Sequence, residues 1–560
     1  MASTFKVSGS SPRRFSFNFR HIKLLALLAF VFMLFFYKLG SYPLFDMDEP
    51  RYAEAAREML ERGNWITPYF NYELRFDKPV FFYWLIAIAY KIFGISEFSA
   101  RFFSAMSATL IVSMVYLFGR HWISGRYGFF AGLILASSIM FVGLSRMSIT
   151  DMTLACFMTG ITLSLFMAAH RDIRWWLVAG VFAGLAVLTK GPVGIVVPGA
   201  IFTIYTLLIG DFKRCLLNRW LPMALLICAA IAVPWYVLAY QENGKIFLDA
   251  LLFHNMTRFS DVVSGHQQPL YFYVIVLLVG FMPWTLYLPT AIRRLWQQAR
   301  TSHRAHIQDK NFNYLVPLYA ALWVAFIFTF FTVSHTKLLT YILPLFPGLA
   351  LLTAEAWHAE SLSAKARANR WFVIPAWLLM ITSMTGGLVF ILNMEKLLPR
   401  EALGIVANEY NLVAVLLLVT GTSLVAWLLS QKRIAPALLT QAGTMGVLIV
   451  VALHGIIPNV SRATQGTMLE YLRKIGNEPV VLFEIQRPSL TFYGQRRVPR
   501  YVNTDRAQLI ETLNGNPKTF VITRNQHLPV LERLLPKSMQ VDVLDKDRIY
   551  SLLSVSKARP

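Results

Sequence analysis

Acidic residues are scarce in this chain. Its 560 residues include 30 Asp and Glu against 53 Lys and Arg, and charged residues make up 15% of the whole, where a soluble globular protein carries about 25%. That deficit excludes an ordinary cytosolic enzyme, and a hydrophobic content of 56% excludes a disordered chain. In a soluble protein the net charge of +23 would suggest nucleic acid. Here most Lys and Arg sit in short clusters between apolar runs, which suits membrane topology and anionic lipids and excludes a nucleic-acid partner. Cysteine is nearly absent. Cys156 and Cys228 lie in apolar runs and Cys215 in a basic loop, leaving no disulfide framework and no cysteine-based metal site. No small-residue cleavage site follows the basic start (Arg13, Arg14, Arg20, Lys23), so the first apolar run is expected to remain as a helix. Internal repeats and low-complexity tracts are also missing.

What the chain has is long apolar runs, such as LLALLAFVFMLFFY from Leu24 to Tyr37. Spans are expected near 24–40, 99–118, 127–145, 150–169, 175–190, 192–210, 220–240, 269–289, 313–332, 338–356, 371–393, 409–429 and 437–457, about 20 residues each. The fold class is thus a polytopic α-helical membrane protein of about 13 transmembrane helices. Basic clusters at the N-terminus, Arg120/Arg126, Arg171/Arg174, Lys213/Arg214/Arg219, Arg293–Arg304, Lys365–Arg370 and Lys432/Arg433 fall in alternate loops. The positive-inside rule makes these loops and the N-terminus cytoplasmic and the C-terminal tail external. Pro79–Gly94 is short for a span and interrupted by Lys91. As a span it would invert every later loop, so it is expected as a helix in the outer interface.

Two polar regions stand apart. The first external loop, 41–98, contains PRYAEAAREMLER from Pro50 to Arg62, with Pro near a helix start and Gly63 just past its end. It reads as a surface-lying amphipathic helix, with the pairs Arg51–Glu54, Glu54–Glu58 and Glu58–Arg62 on one face. After the membrane region, 1–457, the segment 458–560 shows strand-like runs at 480–485, 519–524, 539–544 and 548–555 with helical patterns between. These predict a small external α/β domain.

The topology puts many ionisable groups on one side: Asp46, Asp48, Glu49, Arg51, Asp77 and Lys78 in the first loop, then Asp151, Lys190, His254, Arg258, His266, His335 and Lys337. Such groups at membrane depth are functional candidates. Each also has a plain structural reading. Asp48, Glu49 and Asp151 suit helix caps, Asp77 a turn before Pro79, His254 and His266 ordinary loop positions, and Tyr341 an aromatic belt.

The stretches MDEPRYAEAAREM (47–59), GNWITP (63–68), FDKPVFFYW (76–84), LTKGP (188–192), HQQPLYFYV (266–274) and KLLTYILPLFPGLALL (337–352) resemble a bacterial family. It is the lipid-to-lipid branch of the polyprenyl-phosphate-dependent glycosyltransferases, the lipid A 4-amino-4-deoxy-L-arabinose transferase family, related to the protein O-mannosyltransferases. The resemblance covers most of the first 350 residues, and beyond about 360 it holds only in layout. It implies a type C glycosyltransferase fold, and by position it makes Asp48 the family's first-loop catalytic aspartate and Asp151 its second aspartate, both of them catalytic. Lys78 would hold the carrier phosphate, with Tyr341 near it and Arg51, which follows the aspartate motif, as a second cation for that phosphate. His266 matches a histidine that, with an acidic residue before the lysine, can hold a divalent metal. That acidic residue is normally Glu and is Asp77 here, a shorter arm.

The expected protein is therefore an inverting glycosyltransferase of the bacterial inner membrane with its site and C-terminal domain in the periplasm. Its donor is a sugar on undecaprenyl phosphate, and its acceptor is lipid A or another envelope molecule. Within the class, a protein hydroxyl is the alternative acceptor. Outside it, a lipid-linked sugar transporter would place ionisable groups near midplane and show inverted repeats. No residue names the sugar.

Overall fold

A computed structural model describes residues 19–253, 268–364, 366–397 and 409–557. The chain opens with α1 (Phe19–Phe35), α2 (Asp48–Arg62), α3 (Phe81–Phe93), α4 (Glu97–Trp122), α5 (Gly125–Ala136), α6 (Ile139–Ser145), α7 (Thr150–His170), α8 (Trp175–Lys190), α9 (Val193–Leu208), α10 (Phe212–Leu216) and α11 (Trp220–Leu252). Among the described residues, eight helices are long and apolar enough to cross a membrane, or up to ten if each of two bent pairs is one span. The chain is a multi-pass membrane protein. The bent pairs fall on the expected spans 127–145 and 269–289. At the first, between α5 and α6, the chain turns by 69°. There the Ser137 and Ser138 hydroxyls donate back to the carbonyls of Leu133 and Ile134 at 2.6 and 2.7 Å, competing with the helix ladder. At the second, the helix Phe272–Gly280 meets Trp284–Gln308 at 103° beside Pro283, which has no N–H to continue the helix. The other expected spans without a long helix, near 24–40, 175–190 and 192–210, hold apolar helices of 10–17 residues, shorter than the roughly 20 that a flat bilayer requires.

The centre of the bundle is α7, whose apolar window is 94% buried. Around its start gather the pieces that build the site. Between α2 and α3 the chain makes a two-strand hairpin, β1 (Tyr69–Phe70) against β2 (Glu73–Leu74). Its turn residues Asn71 and Tyr72 both have φ near +60°, the left-handed geometry that two-residue hairpins require. The hairpin hands Asp77 and Lys78 to the start of α3.

The final span does not stop at the membrane. Ile434–Ile475 is a continuous 42-residue helical run, roughly 63 Å long against a hydrocarbon core of about 30 Å. It delivers a C-terminal α/β unit whose five strands are β3 (Val480–Phe483), β4 (Arg500–Tyr501), β5 (Lys518–Arg524), β6 (Met539–Lys546) and β7 (Tyr550–Lys557), in the order β4-β3-β5-β7-β6. The β3–β4 and β3–β5 pairs are parallel, β5–β7 and β6–β7 antiparallel. One sheet face packs on Met468, Tyr471 and Ile475 of the protruding helix. The other packs on Leu509, Leu513 and Leu531.

This unit changes the reading of α2. The helix starts and stops as the sequence implies, with Gly63 at φ +67° closing it. It is not surface-lying, however: ten of its residues, including Glu49, Glu54, Arg57 and Glu58, are buried. The C-terminal unit and α3 cover both of its faces. Ser489 donates from its backbone and hydroxyl to Asp46 at 2.9 and 2.6 Å, Asn71 exchanges two bonds with the Val498 backbone, and Tyr493 donates to Glu97 at 2.9 Å. On the other side Tyr90 of α3 donates to the Ala53 carbonyl. The C-terminal unit therefore lies on the same side of the bundle as the first polar loop. Burial also reassigns the ion pairs. Arg57 takes both Glu54 and Glu61 at 2.8 Å, and Arg51 faces Asp48 at 3.8 Å, in place of the three pairs expected.

Candidate active site

A cavity of about 310 Å³ opens where the hairpin, the start of α7, the end of α8 and the 3-10 turn Leu339–Leu345 converge. Its wall is mainly apolar, with Phe76, Leu154, Met158, Trp235, Phe247, Phe330 and Phe331. Into this wall project Asp77, Lys78, Asp151, Lys190, Thr340 and Tyr341. Five residues singled out from sequence, Asp77, Lys78, Asp151, Lys190 and Tyr341, thus come together from segments nearly 270 positions apart.

Within the cavity the groups are ordered by one another. Lys190 Nζ meets Asp151 Oδ1 at 2.7 Å, with side-chain exposures of 15% and 14%. The same ammonium lies 4.8 Å from the Tyr341 ring centre, a cation–π distance, and Thr340 lines the same cavity. Asp151 is therefore not a helix cap; α7 has Ile149 at its cap position, without a side-chain cap bond. Lys78 Nζ donates to the Asp77 carbonyl at 2.9 Å. Asp77 accepts from Arg75 Nη2 at 2.8 Å, and Arg75 Nε donates to the Tyr83 hydroxyl at 3.1 Å. The Tyr83 hydroxyl, as acceptor, and the Asp77 charge favour the charged form of the Arg75 guanidinium despite burial.

Asp48 and Arg51 do not line this cavity. They occupy the first turn of α2, where Asp48 is 70% exposed and makes no cap bond. Burial, then the nearby Arg75 charge, lowers the pKa of Arg51, while Asp48 and Asp77 oppose the shift. That set of neighbours ties the α2 turn electrically to the hairpin that carries Lys78. His266, like His254 and Arg258, lies outside the described residues. Among the described residues no cluster of three metal-ligating side chains occurs. Lys337 is turned into its own loop, donating to the Ser334 carbonyl at 2.7 Å.

Three pairings escaped the sequence. Lys190 was visible as a cation on the right side, but its partner Asp151 is 39 positions away and no spacing rule joins them. Arg75 gave no signal beyond its place beside FDKP. The third is a clamp beneath the site. Glu49 Oε1 accepts from Arg101 Nε at 2.8 Å and the Ser148 N–H at 2.7 Å, and Oε2 from Arg101 Nη2 at 2.8 Å and the Phe45 N–H at 2.9 Å. Arg101 completes its donors on the carbonyls of Leu39, Tyr42 and Pro43. One carboxylate thereby fixes the chain just before Asp48 to the chain just before Asp151.

A family profile described as dolichyl-phosphate-mannose-protein mannosyltransferase matches residues 77–238, which include the hairpin end, α7 and α8. The crystal structure of ArnT from Cupriavidus metallidurans bound to undecaprenyl phosphate superposes with a TM-score of 0.78, covering 95% of this chain and 97% of that one at 24% identity. This chain has the type C glycosyltransferase fold. An undecaprenyl phosphate-α-4-amino-4-deoxy-L-arabinose arabinosyl transferase of Aeromonas hydrophila subsp. hydrophila is 31% identical over 358 residues. An uncharacterized protein of Aquifex aeolicus is 28% identical over 397 residues, 70% of this chain and 75% of its own. The match to the Aeromonas protein spans 62% of each chain. Within the type C fold, the resemblance read from the sequence motifs and the resemblance found by comparison point to the same transferases.

Proposed function

We propose that this chain transfers a sugar from undecaprenyl phosphate to lipid A or another envelope acceptor, with inversion, at the periplasmic face of the bacterial inner membrane. The observation that carries the reading is the cavity: two lysines, Lys78 and Lys190, set in an apolar wall at one end of the bundle. A polyprenyl-phosphate sugar has the complementary chemistry, an anionic head on an apolar tail. The Aeromonas relative named for that donor adds support. The thirteen crossings and the orientation belong to the same proposal. They rest on the basic loops, which alternate as the positive-inside rule requires only if α3 is interfacial.

The chemistry follows from charge. An acceptor oxygen attacks the anomeric carbon as the carbon–oxygen bond to phosphate breaks, so positive charge grows on the sugar and negative charge on the departing undecaprenyl phosphate. Lys78 and Lys190 meet the leaving phosphate, with Asp151 and Tyr341 holding Lys190 in place for that charge. Asp48, exposed at the mouth of α2, faces the acceptor. It takes the proton of an attacking hydroxyl, or positions an acceptor phosphate that is already a nucleophile. Arg51 holds Asp48 and adds positive potential. A divalent metal on Asp77 and His266 would have to share a carboxylate that Arg75 already pairs with, and no step here depends on one. Unchanged turnover after chelation removes the metal from the account.

Purified enzyme supplied with a panel of undecaprenyl-phosphate sugars, and with lipid A or a hydroxyl-bearing peptide as acceptor, tests the reading. Transfer to lipid A supports it. Transfer only to peptide moves the chain to the O-mannosyltransferase-like reading that the profile match favours. No transfer from any polyprenyl donor overturns the proposal.

A further inference from the structure

A second groove, of about 750 Å³, lies between α4, α7 and α8 and takes no part in the transfer chemistry. Its walls include Met114, Leu117, Leu163, Met167, Val178 and Phe182. Arg120, His121, Arg171 and Trp175 lie at one end of it. Asp151 stands in the first turn of α7 and Arg171 caps the other end of that 21-residue helix, so the two are roughly 30 Å apart along the axis. The groove therefore opens at the membrane face opposite the cavity.

Its shape fits one leaflet. From Arg171 to Gly160 is about 16 Å along α7, half of a hydrocarbon core of about 30 Å. Gly160 keeps the inner end clear: a Cβ there would meet the Phe182 ring at 2.7 Å and push it off α7. Leu117 and Val178 are 49% and 38% exposed, so the groove is open sideways to lipid. Its charge is one-sided as well. Among the described residues no ion pair includes Arg120 or Arg171, and the nearby Asp172 carboxylate accepts from the Arg174 N–H at 2.9 Å. The lining carries no carboxylate.

We propose that this groove binds an anionic phospholipid, with the phosphate between Arg120 and Arg171 and an acyl chain along α7 toward Gly160. Basic pockets between membrane helices recognise such headgroups, and the apolar wall requires the tail. The proposal stands apart from the transfer reading and survives its failure.

The test is native mass spectrometry of the full chain released from detergent, with phosphatidylglycerol and phosphatidylcholine as probes. The wild type should retain phosphatidylglycerol preferentially. R120A/R171A should weaken that preference by roughly fivefold for each cation removed. V178W, a change at an exposed position that fills the groove, should lose the bound lipid while keeping its folded yield. Equal retention of the two lipids by the wild type, or an undiminished preference in both variants, overturns the proposal. So does displacement of the lipid by millimolar inorganic phosphate together with full retention by V178W, which would make the site one for a free anion.

Discussion

Glu49–Arg101 and Asp151–Lys190 are both carboxylate–cation pairs near the first polar loop, and they sit in opposite surroundings. Both members of the first are 0% exposed and every Glu49 oxygen accepts two bonds. The second is 14–15% exposed, lines a cavity and leaves Lys190 facing open space beside an aromatic ring. A fully satisfied dry pair has nothing left to offer a ligand, and removing one partner strands a buried charge. A partly wet pair on a cavity can exchange its solvent for substrate. Burial and satisfaction, more than residue type, separate scaffold from chemistry here.

That contrast is sharpest one residue apart, at Asp48 and Glu49. Asp48→Asn should lower transfer by on the order of a thousandfold, within the range of a general base, with normal folded yield. Near-normal transfer by a well-folded variant would make Asp48 a helix-start residue only. Arg101→Ala should act in the opposite way, destabilising by about 3–5 kcal/mol through the stranded Glu49 charge, seen as a lower melting temperature in detergent. Arg101→Lys should rescue little of this, because one ammonium cannot reproduce five directed donors. If Arg101→Ala melts like the wild type while losing transfer, the clamp belongs to the chemistry and the contrast collapses.

How much of this was readable in advance follows the same line. The apolar runs located the long helices, and the strand-like runs coincide with β3, β5, β6 and β7, because hydrophobic patterning is local. That Asp77, Lys78, Asp151 and Tyr341 share a cavity was suggested by charge in loops and by motif resemblance. The fate of α2 was not legible. Its polar face looks solvated by periodicity, yet it is covered by a domain some 430 residues later, through Asp46 with Ser489 and Asn71 with Val498. Nor could spacing distinguish Arg57 as the partner of both Glu54 and Glu61 from the pairs expected on the same helix. Long-range burial decides such choices, and a single sequence does not carry it.

The smallest effect should be in pH. Glu58 is buried with Glu54 close by, and burial, then the Glu54 charge, pushes its pKa up to about 7. Its Oε2 accepts from the Tyr72 N–H at 2.9 Å. Because the folded pKa lies above the unfolded one, the native state keeps a proton that the unfolded chain releases from about pH 4.3 upward. Stability should therefore fall as pH rises from about 4.5 to 7, by linkage. Melting curves across that range should show the decline, and Glu58→Gln should flatten it. A slope unchanged by Glu58→Gln would assign the dependence to another group.

The central claim is that the cavity holds the donor phosphate, and Lys78 and Lys190 test it together. Undecaprenyl-phosphate binding and sugar transfer should be measured in nanodiscs for the wild type, K78A, K78R and K78A/K190A, with melting temperatures alongside. The account predicts a loss of about a hundredfold in transfer for K78A, the scale of one electrostatic stabiliser, partial rescue by K78R, a further loss in the double variant, and unchanged melting throughout. Wild-type binding and turnover in K78A/K190A would contradict it.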